Sequence, residues 1–95
     1  MSPTATRARQ IEAMGLPSAQ EDALLGLSHR CGTSLACITD AASISRIMGY
    51  GRQRGDLDTI AKAIAELERK GLLSSTPHPG SRHTRAYTLR PERWR

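Results

Sequence analysis

The segment GYGRQRGDLD, residues 49 to 58, sets three glycines and two arginines within seven residues and follows them with two aspartates. The guanidinium groups of Arg52 and Arg54 are planar forks suited to phosphate oxygens. Gly49, Gly51 and Gly55 let the backbone bend around such a contact. A flexible insertion with merely solvated arginines is the alternative. A second cationic group lies near the C-terminus. Between residues 74 and 95, Arg82, Arg85, Arg90, Arg93 and Arg95 stand against Glu92 alone, with His78 and His83 among them. The rest of the net charge of +5 nearly cancels. Positive charge gathered in one loop and one terminal quarter is expected of a face that meets a polyanion; a solubilising surface is the other explanation. The twelve arginines against two lysines suit guanine edges, although a GC-rich coding sequence produces the same bias.

The remaining reactive side chains form no recognisable set. His29, Cys31 and Cys37 lack a fourth ligand at a familiar metal spacing, so the two cysteines are expected as free thiols, buried or half-buried. Without a secretion signal a structural disulfide is not expected. Ser43, Ser45, His29 and the aspartates make no nucleophile–base pair. No enzyme activity, cofactor or metal is therefore expected. His78 and His83 are expected to be exposed, and as phosphate donors they would help more below neutral pH.

These residues must be positioned by a small aliphatic core. The chain has 95 residues, no Phe, one Trp and two Tyr, and 38% hydrophobic residues. That is enough for one domain and one core. No apolar run approaches the ~20 residues of a membrane span, and MSPTATRARQ lacks the apolar stretch of a signal peptide. The expectation is a soluble cytoplasmic protein without membrane contact.

Residues 1–17 read as an N-terminal extension, frayed over 1–10, with a short helix near Ala8, Ile11, Glu12 and Met14. Ile11, Met14 and Leu16 would lie on the body or on a partner chain. Ser18-Ala19-Gln20-Glu21 has the pattern of a capping box, opening a helix that buries Ala23, Leu24, Leu27 and Cys31 and ends at Gly32. Residues 34–38 are a short strand or the approach to the next helix. Thr39 or Asp40 can cap a helix over 40–48, with Ile44, Ile47 and Met48 inward. Asp56 is the expected N-cap of DLDTIAKAIAELERKGLL, whose buried stripe is Leu57, Ile60, Ile64 and Leu67, with Glu66 paired to Lys70 and Gly71 as the stop. Residues 72–76 and 83–89 read as two strands of a hairpin, with Pro79-Gly80 as the central pair of a type II turn and Tyr87 and Leu89 on one face. Residues 91–95 are a tail too short to classify, in which Trp94 would anchor either the tail or a partner.

The run TIAKAIAELERKGLL followed by SSTPHPGSRHTRAYTL resembles the third helix and wing of winged helix-turn-helix DNA-binding proteins. Leu67, Gly71, Leu72, Leu73, Arg82, Tyr87 and Leu89 occupy the positions that carry the resemblance, which spans roughly residues 18–90. It implies a mainly α fold with a small β-hairpin, a three-helix core plus wing, of the type found in bacterial and phage transcription regulators. It also implies double-stranded DNA as partner. The third helix would enter the major groove by its N-terminal turns, presenting Asp58, Thr59 and Lys62. The hairpin would set Arg82, His83 and Arg85 on the backbone or in the minor groove. Ser43 and Ser45 would lie near the backbone if the second helix crosses the duplex, Arg46 is a further expected contact, and Arg52 and Arg54 would reach phosphates beside the groove.

The connector from Gly49 to Asp56 exceeds the usual short turn, and carboxylates at the reading end of a helix cost affinity unless one accepts from a cytosine amine. A small domain has little surface for specificity, so a homodimer on a two-fold site is expected, built on Ile11, Met14, Leu16 or Trp94. A transcriptional regulator of bacterial or mobile-element origin is the leading expectation. A protein-binding module using Asp56, Asp58, Glu66 and Glu68, such as a phage-encoded inhibitor of a host complex, is the alternative. An accessory role in plasmid or phage replication or excision is the third.

Overall fold

The computed structural model describes the backbone of residues 3–49, 54–80 and 83–94, and the side chains of residues 5–49, 57–80 and 83–94. The described elements follow in the order α1 (Pro3–Ala13), α2 (Ser18–Cys31), β1 (Ala36–Thr39), α3 (Ala41–Ile47), α4 (Arg54–Arg69), β2 (Leu73–Pro77) and β3 (Arg85–Leu89), closed by a 3-10 turn at Pro91–Arg93. The protein is mainly helical with a small antiparallel sheet. The sheet has three strands in the order β1-β3-β2, so the hairpin gains β1 as an outer neighbour. Register runs from Ala36 opposite Thr88 to Thr39 opposite Arg85 on one side of β3. On the other side it runs from Leu73 opposite Leu89 to Pro77 opposite Arg85.

One aliphatic core joins these elements. Leu24, Leu27, Ile44, Ile60, Leu67, Leu73 and Leu89 are almost fully buried, and Tyr87 and Trp94 supply its only aromatic mass among the described residues. Tyr87 and Leu89 do share the inward face of β3. No helix among the described residues is long and apolar enough to cross a membrane.

Both terminal segments, as far as they are described, pack on the body. The frayed start is instead helical from Pro3. Ile11 is fully buried, and Arg7, also buried, donates from Nη1 to the Gly32 carbonyl at 2.7 Å and from Nη2 to the Thr33 carbonyl at 3.1 Å. A cation on the carbonyls just past the end of α2 satisfies acceptors there and complements the negative end of the helix dipole. Met14 and Leu16 pack against the core. At the other end Trp94 is buried and its indole N–H donates to the Leu72 carbonyl at 2.9 Å. Ile11 and Trp94 are thus spent on the body of the chain and are not surfaces for a second copy.

Helix boundaries show which local signals decide. α2 starts at Ser18 with Pro17 as its cap and no side-chain acceptor. Helical bonding already begins where the Glu21 amide donates to the Pro17 carbonyl at 2.9 Å, so Ser18 lies inside the first turn and the capping box does not form. α3 does take Asp40 as its cap, with Oδ1 accepting from the Ser43 amide at 2.7 Å. α4 begins at Arg54, three residues earlier than a cap at Asp56 implies, which puts Asp56 inside the first turn, where the helix dipole favours an acid.

At its other end, Gly71 has φ +79°, and the Leu72 and Gly71 amides donate to the Leu67 and Glu68 carbonyls, both at 3.0 Å. This paired closure turns the chain directly into β2. Gly80 does not take the left-handed φ that a type II turn requires at its third position; its amide donates instead to His78 Nδ1 at 3.3 Å.

Candidate nucleic-acid interface

α4 has an outer face that follows from its period. Ile60, Ala63, Ile64 and Leu67 point into the core, which turns Asp58, Lys62, Ala65 and Arg69 outward at spacings of four, three and four residues, all exposed. Thr59 is exposed beside them. Leu57, expected in the buried stripe, is 38% exposed instead. It sits one flank round from Ile60, facing a groove rather than the core. In α3, Ile44 is buried as expected, but Ile47 is 38% exposed.

That groove has a volume of about 690 Å³ and lies between α4, the start of α3 and the first half of β3 with the turn residue His83. Leu57, Ala61 and Ala65 form its apolar floor, and Asp40, Asp58, Glu68, His83 and Arg85 stand around it. The outer flank of α4 and the first residues of β3 therefore open on the same side of the molecule.

The expected contact residues separate into distinct groups. Asp58, Thr59, Lys62 and His83 are exposed. Arg46 is exposed at the end of α3 and donates from Nη2 to the Ser43 hydroxyl at 3.4 Å. Ser45 is buried, 4% exposed, and leaves the set, because it lies on the side of α3 that faces the core with Ile44. Arg85 is half-buried, and its Nε donates to Ser75 Oγ at 2.8 Å. The Ser75 hydroxyl in turn donates to the Glu68 carboxylate. Arg85 thus ties β3 to β2 and α4, and this bond competes with any phosphate contact. Arg52, Arg82 and the side chains of Arg54 and Asp56 lie outside the described residues.

Electrostatics on this side are mixed. Burial would raise the Asp40 carboxyl, but the Ser43 hydrogen bonds and the charges of Arg46 and His83 outweigh it, so its pKa lies below the ordinary 3.8. Burial raises the Tyr87 phenol at the groove's inner wall; Arg85 opposes the shift, while the Glu68, Asp40 and Cys37 charges add to it.

The ion pairs differ from the expected i,i+4 arrangement. Glu66 accepts from Arg69 at 2.9 Å, and Lys70 Nζ donates to Gln20 Oε1 at 2.5 Å, linking α4 to α2. Arg69, seven residues beyond Lys62, is a further exposed cation on this face that is not among the expected contact residues.

Comparison with known proteins yields no match for this chain, whether to a family model, a curated protein or a solved structure.

Proposed function

We propose that this chain is a winged helix-turn-helix protein that binds double-stranded DNA, serving as a small transcriptional regulator of bacterial or mobile-element origin. In this reading α4 lies in the major groove and the β2–β3 hairpin follows the backbone or dips into the minor groove. The supporting observation is that Asp58 and Ala61 of α4 share one groove with His83 and Arg85 at the turn end of the hairpin. A single duplex can then meet the outer helix flank and the hairpin together. The element order, with β1 added on the outer side of β3, is compatible with that fold.

Lys62 and Arg69 of α4 and Arg46 of α3 are exposed cations suited to phosphate contact, and such contacts supply affinity that falls with salt. With Ile11 and Trp94 buried in the body, a two-fold pair would use another surface. Sedimentation at high concentration tests the pair, and a monomer there removes it.

One observation favours a second reading. The groove between helix and hairpin holds three carboxylates, Asp40, Asp58 and Glu68, around the apolar Leu57, Ala61 and Ala65. A basic amphipathic peptide from a protein partner would match that lining. A gel shift with random duplex at low and high salt separates the two. Binding at low salt that is lost at high salt supports the DNA reading. Absence of any shift at low salt overturns it in favour of a protein partner.

A further inference from the structure

α2 turns Ala23, Leu24, Leu27 and Cys31 into the core. Leu25, Ser28 and His29 stand three and four residues apart on the adjoining flank. With Ala8 of α1 and with Ile47 and Met48 at the end of α3, they line a pocket of about 280 Å³. Ile47 is 38% exposed because it borders this opening instead of a packed neighbour. Apart from Ser28 and His29 the lining is apolar, and it holds no carboxylate, lysine or arginine among the described residues.

Ser28 stands out in this lining. It is 2% exposed, and its hydroxyl has no hydrogen-bond partner among the described residues. A helical serine can bond back to the carbonyl four residues earlier; that bond is not formed here. A buried hydroxyl left alone costs free energy. Water is a poor remedy, because a buried water makes about three hydrogen bonds. Ser28 and His29 are the only polar side chains described in the lining.

We propose that this pocket binds a small, uncharged, mainly apolar organic molecule bearing one hydroxyl group, which pairs with the Ser28 hydroxyl. A hydroxyl can both donate and accept, so it meets the serine in either orientation. An apolar cavity of ~150 Å³ holds benzene, so the space here suits one ring with a short substituent. A charged group would lose hydration against Leu25, Ile47 and Met48 with no counter-charge in the lining. The Ser28 hydroxyl is closed to solvent, and Met48, which packs across Gly26 of α2, is the side chain that can admit a ligand. Met48 is unbranched and half-buried, so it can swing aside while Ser28 turns about χ1 to a neighbouring staggered well. None of these residues lines the groove beside α4, so the site does not depend on the duplex reading.

Benzyl alcohol, ethylbenzene and benzylammonium share one shape and differ in a terminal hydroxyl, methyl or ammonium, which makes them the probes. Each is titrated at millimolar concentration into the full chain carrying methyl-labelled methionine, observed by NMR. Benzyl alcohol and ethylbenzene should shift the Met48 methyl saturably and leave that of Met14 in place, and benzylammonium should shift neither. Ser28→Ala should weaken benzyl alcohol relative to ethylbenzene by about two- to ten-fold, the worth of one hydrogen bond. Ala8→Leu, which fills the pocket from α1, should remove binding of both neutral probes. Circular dichroism checks that each variant folds, and if Ser28→Ala does not, the wild-type ranking of the three probes and Ala8→Leu decide. No saturable shift at Met48 with benzyl alcohol, benzylammonium bound as tightly as the alcohol, or an unchanged ratio of the neutral probes in Ser28→Ala would overturn the proposal.

Discussion

The two faces of α4 obey different rules although they belong to the same sixteen residues. The inner face is Ile60, Ala63, Ile64 and Leu67, each at most 5% exposed and packed against a core that reaches α2, α3 and the sheet. The outer face carries three charged residues and one alanine, from Asp58 through Lys62 and Ala65 to Arg69, and touches solvent throughout. The inner face holds the fold in place, since burial of aliphatic area is the main favourable term. The outer face contributes little to stability and leaves its side chains available to a ligand. The contrast teaches that substitutions on opposite sides of one helix should separate folding from binding.

The largest effect expected is at the inner face. Leu67→Ala should destabilise the chain by about 2–5 kcal/mol, the usual cost of a cavity at a fully buried leucine. Chemical denaturation checks this, and a loss below ~1 kcal/mol would mean the face is not the close-packed seam described.

A second test acts where α2 meets α3. A Cβ added at Gly26 would meet Ile44 Cγ2 at 2.8 Å and Met48 Cγ at 3.0 Å. Ile44 is fully buried and stiff at χ1, so it has little room to yield. Overpacking costs ~1–3 kcal/mol, which exceeds the gain of up to ~1 kcal/mol from replacing a helical glycine. Gly26→Ala should therefore lower the midpoint of unfolding, and a raised midpoint would show that this helix pair has slack.

Smaller still is the cap of α3. Asp40→Ala should cost about 1 kcal/mol at neutral pH. Because the folded-state pKa of Asp40 is depressed, its contribution is present above the ordinary 3.8 and is lost as pH falls through the folded value. Thermal melts of wild type and variant should differ at neutral pH and converge in strong acid. A constant gap across that range would contradict the assignment.

Much of this division was legible in the sequence because it rests on local chemistry. The 3.6-residue period placed Ile60, Ile64 and Leu67, and Gly71 marked the turn into the sheet because its φ of +79° is costly for other residues. What escaped depended on distant partners. Leu57 fits the same period, but its side of the helix meets a groove instead of a packed neighbour. Arg7 resembled a solvated charge until α2 presented the Gly32 and Thr33 carbonyls to it. Trp94 needed the Leu72 carbonyl to define its place. Arg85 resembled a phosphate ligand because the sequence does not bring Ser75 and Glu68 alongside it. The cysteines were legible as free thiols, and Cys31 is buried and Cys37 half-buried.

The smallest effect on stability should come from the outer face, and it carries the decisive reading of function. Lys62→Ala should leave the unfolding free energy within about 0.5 kcal/mol of wild type. The measurement that tests the account most directly is the slope of log affinity for random duplex against log salt concentration, in wild type and in Lys62→Ala. A steep wild-type slope made shallower by about one unit in the variant is the predicted result. Identical slopes, or no duplex binding by either protein at low salt, would contradict it.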